Sequence, residues 1–153
     1  MNYSTIQNIS GKTDISQLML MLNDEVRAPE LIDLKDSSDP VVSRFDAAAS
    51  EAKEIIDPYL SNYSLPLSPV PKRIIDLSDD LTIYCIYKRR NRENITESIL
   101  STYNQAIKAL ENIQKGLLKL PIDEKQAPEN QGIFKVNKNS SDRVFSKDLL
   151  GRL

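Results

Sequence analysis

Apolar residues recur along this chain at steps of three, four and seven, the spacing of one helix face, and β-branched alternation is scarce. Asp14-Ile15-Ser16-Gln17 reads as a capping box, with Asp14 capping a helix while Gln17 reaches back. Ile15, Leu18, Met19 and Leu22 then share a face in a short helix that ends near Asn23. A second short turn is expected from Pro29 to Leu34, with Leu31, Ile32 and Leu34 inward, followed by a polar loop from Lys35 to Asp39. Asp39-Pro40 is a strong start signal: an acidic N-cap before a proline whose missing N–H costs nothing at the first helical position. Val42, Phe45, Ala49, Ala52, Ile56, Tyr59 and Tyr63 continue one stripe, and Ala47, Ala48, Ala49 and Ala52 allow close approach of a neighbour. Pro58 lacks a donor and clashes with the Glu54 carbonyl, which predicts a kink or a fresh start capped by Asp57.

Tyr63-Ser64-Leu65-Pro66-Leu67-Ser68-Pro69 predicts extended backbone, pinned to the core by Leu65 and Leu67. Ser68-Pro69 is expected to start the next helix. Its core face is Ile74, Leu77, Leu81, Tyr84 and Cys85, widened by Ile75, Ile86 and Tyr87. Apolar over so much of its surface, this helix should be central. Asn94-Ile95-Thr96-Glu97 reads as another capping box, ahead of a stripe of Ile95, Ile99, Tyr103, Ile107, Leu110 and Ile113. Gly116 stands where a left-handed C-cap would end that helix, and Leu117, Leu118 and Leu120 fold back before Pro121. From about Ile122 polar residues dominate, with small apolar groups at Ile133, Phe134 and Val136 and at Val144 and Phe145. The expected architecture is mostly α: a bundle of four to five helices over residues 1–120 and an extended C-terminal arm over 121–153.

Composition narrows the chemistry. The 153 residues are 40% hydrophobic and 27% charged, the ordinary globular range. Histidine is absent and Cys85 is the one cysteine, which excludes an intrachain disulfide, a Cys/His zinc site and imidazole catalysis. There is no nucleophile motif or glycine-rich phosphate loop. Asp79 and Asp80 point apart on a helix and read as solvated acids, and Cys85 as a small buried hydrophobe. No enzyme activity and no cofactor are expected. The N-terminus lacks a basic start followed by an apolar run, and no apolar run approaches the roughly 20 residues a bilayer needs. The expectation is a protein made in the cytoplasm, with no membrane partner.

The net charge is −2 and the pI about 5.3, so bulk charge supplies no affinity for nucleic acid. Its distribution is uneven: residues 1–60 hold 11 acids and 5 bases (−6), and residues 61–153 hold 11 acids and 15 bases (+4). Opposite signs on two parts of one chain suit head-to-tail packing between copies, although exposed charges usually only solvate. Lys88, Arg89, Arg90 and Arg92 form the sharpest polar feature. Two readings stand side by side: cations drawn to helix C-terminal carbonyls, or phosphate contact without base reading, as in a positive collar repeated around a ring.

The stretch from Ile55 to Pro71, with Ile56-Asp57-Pro58-Tyr59-Leu60, Leu65-Pro66-Leu67 and Val70-Pro71, resembles the mark of the Mu-like phage gp36-type family, with Pro58 standing where the family has glycine. Tyr84-Cys85-Ile86-Tyr87-Lys88-Arg89-Arg90 resembles its next helix end. Tyr103, Ala106, Ile107, Leu110, Ile113 and Gly116 resemble its following helix, and Arg143-Val144-Phe145 its C-terminal element. The resemblance runs from about Thr13 to Leu150. It implies a virion structural protein at the head–tail junction, an adaptor forming a homo-oligomeric ring with portal and other neck or tail proteins as partners, in non-specific contact with packaged DNA. On that reading Lys88, Arg89, Arg90 and Arg92 line the DNA channel or make a charged subunit contact, and Phe134, Arg143, Val144 and Phe145 dock between subunits. The main alternative is a small helical DNA-binding regulator. A carboxylate-based metal-dependent nuclease, for which Asp79 would be essential, ranks lower.

Overall fold

The computed structural model describes residues 2–91 and 93–123. These form five α-helices: α1 (Ile6–Ile9), α2 (Ile15–Leu22), α3 (Pro40–Ile56), α4 (Lys72–Arg90) and α5 (Glu97–Gln114), with 3₁₀ turns at Pro29–Leu31 and Asp57–Leu60 and no strand among the described residues. The expected arm, from residue 124 on, lies outside the described residues, as does Arg92.

Helices α3 and α4 are the antiparallel pair on which the rest is built. Ala48, Ala49 and Ala52 are buried on α3, and the missing side-chain bulk brings the two backbones together. The first half of α3 (Val41, Val42, Phe45, Ala48, Ala49) meets the last half of α4 (Cys85, Ile86), and α1 and α2 cover this end with Ile6, Ile9, Leu18 and Leu22. The second half of α3 (Ala52, Ile56) meets the first half of α4 (Ile74, Leu77, Leu81). That end is closed by α5 through Ala106, Leu110 and Ile113, with Leu60, Tyr63, Leu67 and Leu120. Helix α4 is central, as its broad apolar face requires.

Caps explain most boundaries. Asp39 accepts the Val41 amide at 2.9 Å ahead of Pro40, and Asp14 accepts the Ser16 amide at 2.9 Å. Gly116 has φ +71°. Its amide bonds the Ile113 carbonyl at 3.0 Å and the Leu117 amide bonds that of Asn112 at 2.9 Å, the paired bonds of a Schellman end.

Several expectations are corrected. Helix α4 begins at Lys72, not at Pro69, because Pro71 keeps Val70 out of the α region and delays the start. Pro58 interrupts the α-helix as expected, with α3 ending at Ile56 and a fresh 3₁₀ segment running over Asp57–Leu60, but Asp57 is not its N-cap: it is itself helical, with φ −52° and ψ −40°. Helix α5 begins at Glu97, so Asn94 lies outside it, and its N-cap Thr96 makes no side-chain capping bond. Leu31 and Leu65 face water, while Ile32, Leu34 and Leu67 are drawn in. The short helix α1, capped by Thr5, was not anticipated. It brings Tyr3 and Ser4 into the core.

A candidate interaction surface at the end of α2

The last four carbonyls of an α-helix have no partner within it and carry partial negative charge. Helix α2 meets this need with residues from three other segments. Its Met19 carbonyl takes the Asn23 amide at 2.8 Å. The Leu20 carbonyl accepts from Arg90 Nη1 at 2.5 Å, Met21 from Arg89 Nη2 at 2.8 Å and Leu22 from Arg44 Nη1 at 2.7 Å. Asp24 and Glu25, just beyond the helix, complete the pairing. Arg89 grips Asp24 through both nitrogens at 2.7 and 2.8 Å, Arg44 Nε lies 3.3 Å from Asp24 and Arg90 3.5 Å, and Arg44 holds Glu25 through both its oxygens. Two-pronged guanidinium–carboxylate pairs fix orientation as well as distance.

The same pairing continues toward α3. Arg27 bonds Asp39 at 2.6 and 3.2 Å, so the residue that caps α3 also anchors the loop before it. Asn23 brackets that loop: its Nδ2 donates to the Arg27 carbonyl at 2.7 Å and its Oδ1 accepts the Arg27 amide at 3.1 Å. These contacts hold three carboxyls well below their usual range. Asp24 is lowered to about 2 by the hydrogen bonds from Arg89, Glu25 to about 2 by those from Arg44, and Asp39 to about 2 by those from Arg27.

The basic cluster at the end of α4 is therefore engaged inside the subunit. Arg89 and Arg90 serve the carbonyl end of α2 rather than that of their own helix, and Lys88 bonds Glu51 on α3 at 2.8 Å. Arg92, Phe134, Arg143, Val144 and Phe145 lie outside the described residues.

A second polar group ties the N-terminal segment to α4. The Ser4 hydroxyl donates to Asp79 Oδ1 at 2.5 Å with both residues buried, and Lys12 reaches Asp79 and Asp76 at 3.8 Å and Asp80 at 3.1 Å. Asp79 is thus not the solvated acid its sequence setting indicates; burial pushes its carboxyl up. The signals for this contact were Thr5 as an N-cap and the Ile6/Ile9 spacing, which together mark a short buried turn ahead of Asp14. Cys85 is buried as expected, and burial, with the neighbouring Glu51 charge, pushes its thiol up to about 12. Among the described residues no group of three or more His, Cys, Asp or Glu side chains is arranged to hold a metal ion. No described helix is long and apolar enough to cross a membrane.

These charged side chains fix the end of α2 and the α2–α3 loop; Leu20 on α2 and Val26 and Leu31 in the loop are exposed to water. A family model described as Bacteriophage Mu, Gp36 matches residues 14–138. No curated protein matches the chain.

Proposed function

The chain belongs to the Bacteriophage Mu Gp36 family, and from that premise we propose that it is a structural protein of the phage particle, a head–tail connector that forms a homo-oligomeric ring between portal and tail around the DNA passage. The observation that carries this reading is the end of α2 and the α2–α3 loop: backbone tied down by Arg27, Arg44, Arg89 and Arg90 that leaves Leu20, Val26 and Leu31 in water. Large apolar side chains exposed on anchored backbone suit burial by a protein partner.

Lys88, Arg89 and Arg90 each face a carboxylate or a carbonyl of their own subunit, which leaves little free charge either for phosphates in a channel or for a charged contact with a neighbouring subunit. The same pairing weighs against a DNA-binding regulator, whose recognition helix needs unpaired cations. In this reading the partners are sister copies, portal and the next tail component, and the site of action is the head–tail junction of the virion. No bond is made or broken.

Light scattering on the full chain, alone and with purified portal, tests the proposal. It expects a ring-sized assembly in at least the portal mixture. A single-chain mass under both conditions overturns it.

A further inference from the structure

Leu20 is 69% exposed, Val26 83% and Leu31 68%. Scattered exposed leucines are ordinary. Here three large apolar side chains fall in one short segment whose backbone is pinned from several sides. Val26 also has φ 50°, in the left-handed region that a β-branched residue rarely adopts. The Asn23 bracket around Arg27, and Arg27 on Asp39, hold it there. A strained apolar tip turned to water contributes nothing to the subunit's own core, and such strain concentrates where a partner binds.

The unpaired charge of the tip is acidic. Residues 24–39 carry six acids and two bases, and Arg44, Arg89 and Arg90 join them from α3 and α4 on Asp24 and Glu25. Asp24, Glu25 and Asp39 are already paired with arginines, whereas Glu30, Asp33 and Asp36 form no salt bridge among the described residues. The complementary chemistry lies in this chain's own C-terminal sequence. The 30 residues after Asp123 carry six bases and four acids, and Ile133-Phe134-Lys135-Val136-Asn137-Lys138 interleaves apolar and basic residues. The described chain ends beside Leu120, which packs with Tyr63 at the α5 end of the α3–α4 pair. The acidic tip sits at the opposite end, next to α2. The segment after Asp123 therefore departs from the end opposite the acceptor, which suits a head-to-tail contact, the kind that closes into rings.

We propose that residues 133–138 of one copy dock on the Leu20–Val26–Leu31 surface of the next, with Lys135 and Lys138 facing Glu30, Asp33 and Asp36. This rests on the ring reading above and names its contact. Thirty extended residues span up to about 100 Å, so reach between neighbours is not limiting.

The test uses the full chain assembled from an equal mixture of isotopically heavy and light copies, with a photo-crosslinking benzoylphenylalanine in place of Phe134. Heavy–light crosslinks to residues 20–36 are expected. Heavy–light crosslinks elsewhere overturn this surface while leaving the ring intact. Crosslinks confined to same-isotope pairs, or made only to another particle protein, overturn the contact between copies. A single-chain mass with portal present removes the ring reading itself. Val26→Gly separates docking from folding: it relieves the backbone strain, so its melting temperature should not fall, while association should weaken about tenfold through loss of the buried valine. Glu30→Lys should weaken association likewise, and Lys135→Glu in the same chain should restore it. Unchanged association in Val26→Gly, or no rescue in the charge swap, contradicts the proposal.

Discussion

Ser4 and Asp79, 75 residues apart in sequence, share a hydrogen bond of 2.5 Å in the interior, and this contact fastens the N-terminal segment to the central helix. The Asp79 carboxyl would be costly to bury alone, and Ser4 and Lys12 make it tolerable. Ser4→Ala should therefore destabilise the chain by about 1–3 kcal/mol, because it leaves a buried acceptor unmet. Asp79→Asn should cost less than Ser4→Ala, since an amide oxygen still accepts from Ser4 and carries no charge to desolvate. Urea unfolding of the two variants gives the order; the reverse order contradicts the account. The same Asp79→Asn protein addresses the nuclease alternative, which requires magnesium-dependent DNA cleavage that this substitution abolishes.

Stability should respond to pH in two opposed ways. Asp79 has its folded-state pKa raised, chiefly by burial, so its contribution is full below the ordinary carboxyl value near 4 and is lost as pH rises through the folded value. Asp24, Glu25 and Asp39 are lowered to about 2 by their arginines. Their contribution is present above the ordinary value and is lost as pH falls from about 4.5 toward 2. The three lowered groups all lie at the end of α2 and the α2–α3 loop, so acid should loosen that loop before the α3–α4–α5 core. Amide hydrogen exchange as a function of pH reads this directly. Asp79→Asn should remove the loss on the neutral side and leave the acid side unchanged.

Gly116 offers a clean measure of a helix end. A Cβ added there meets nothing within 4 Å, so Gly116→Ala meets only the backbone cost of φ +71°. That cost is about 1–2 kcal/mol. Leu110→Ala, in the fully buried row that α5 lays on the pair, should cost about 2–5 kcal/mol. Thermal unfolding of both variants checks the ratio.

Local chemistry made the helices readable. Asp39-Pro40, Asp14 and Gly116 act through bonds to residues one to four positions away, and the stripes on α3, α4 and α5 follow from a fixed period. Errors arose where neighbouring signals competed, as at Pro69 and Pro71, where the second proline sets the start of α4. The interaction surface was only half legible. The run Lys88-Arg89-Arg90 stands out in the sequence, and cations attracted to helix carbonyls were one of its two readings. That the carbonyls are those of α2, some 70 residues earlier, depends on how α2 crosses the end of the α3–α4 pair. No spacing encodes that. Asp79 failed for the same reason: an acid beside another acid looks solvated until a serine from the far N-terminus is laid against it.

Electron cryo-microscopy of the neck of a phage particle that carries this protein tests the central claim most directly. The account predicts a ring of identical subunits between portal and tail, each fitting the α3–α4 pair closed by α5, with the Leu20–Val26–Leu31 surface covered. A complete particle whose neck holds no copy of this chain would contradict it.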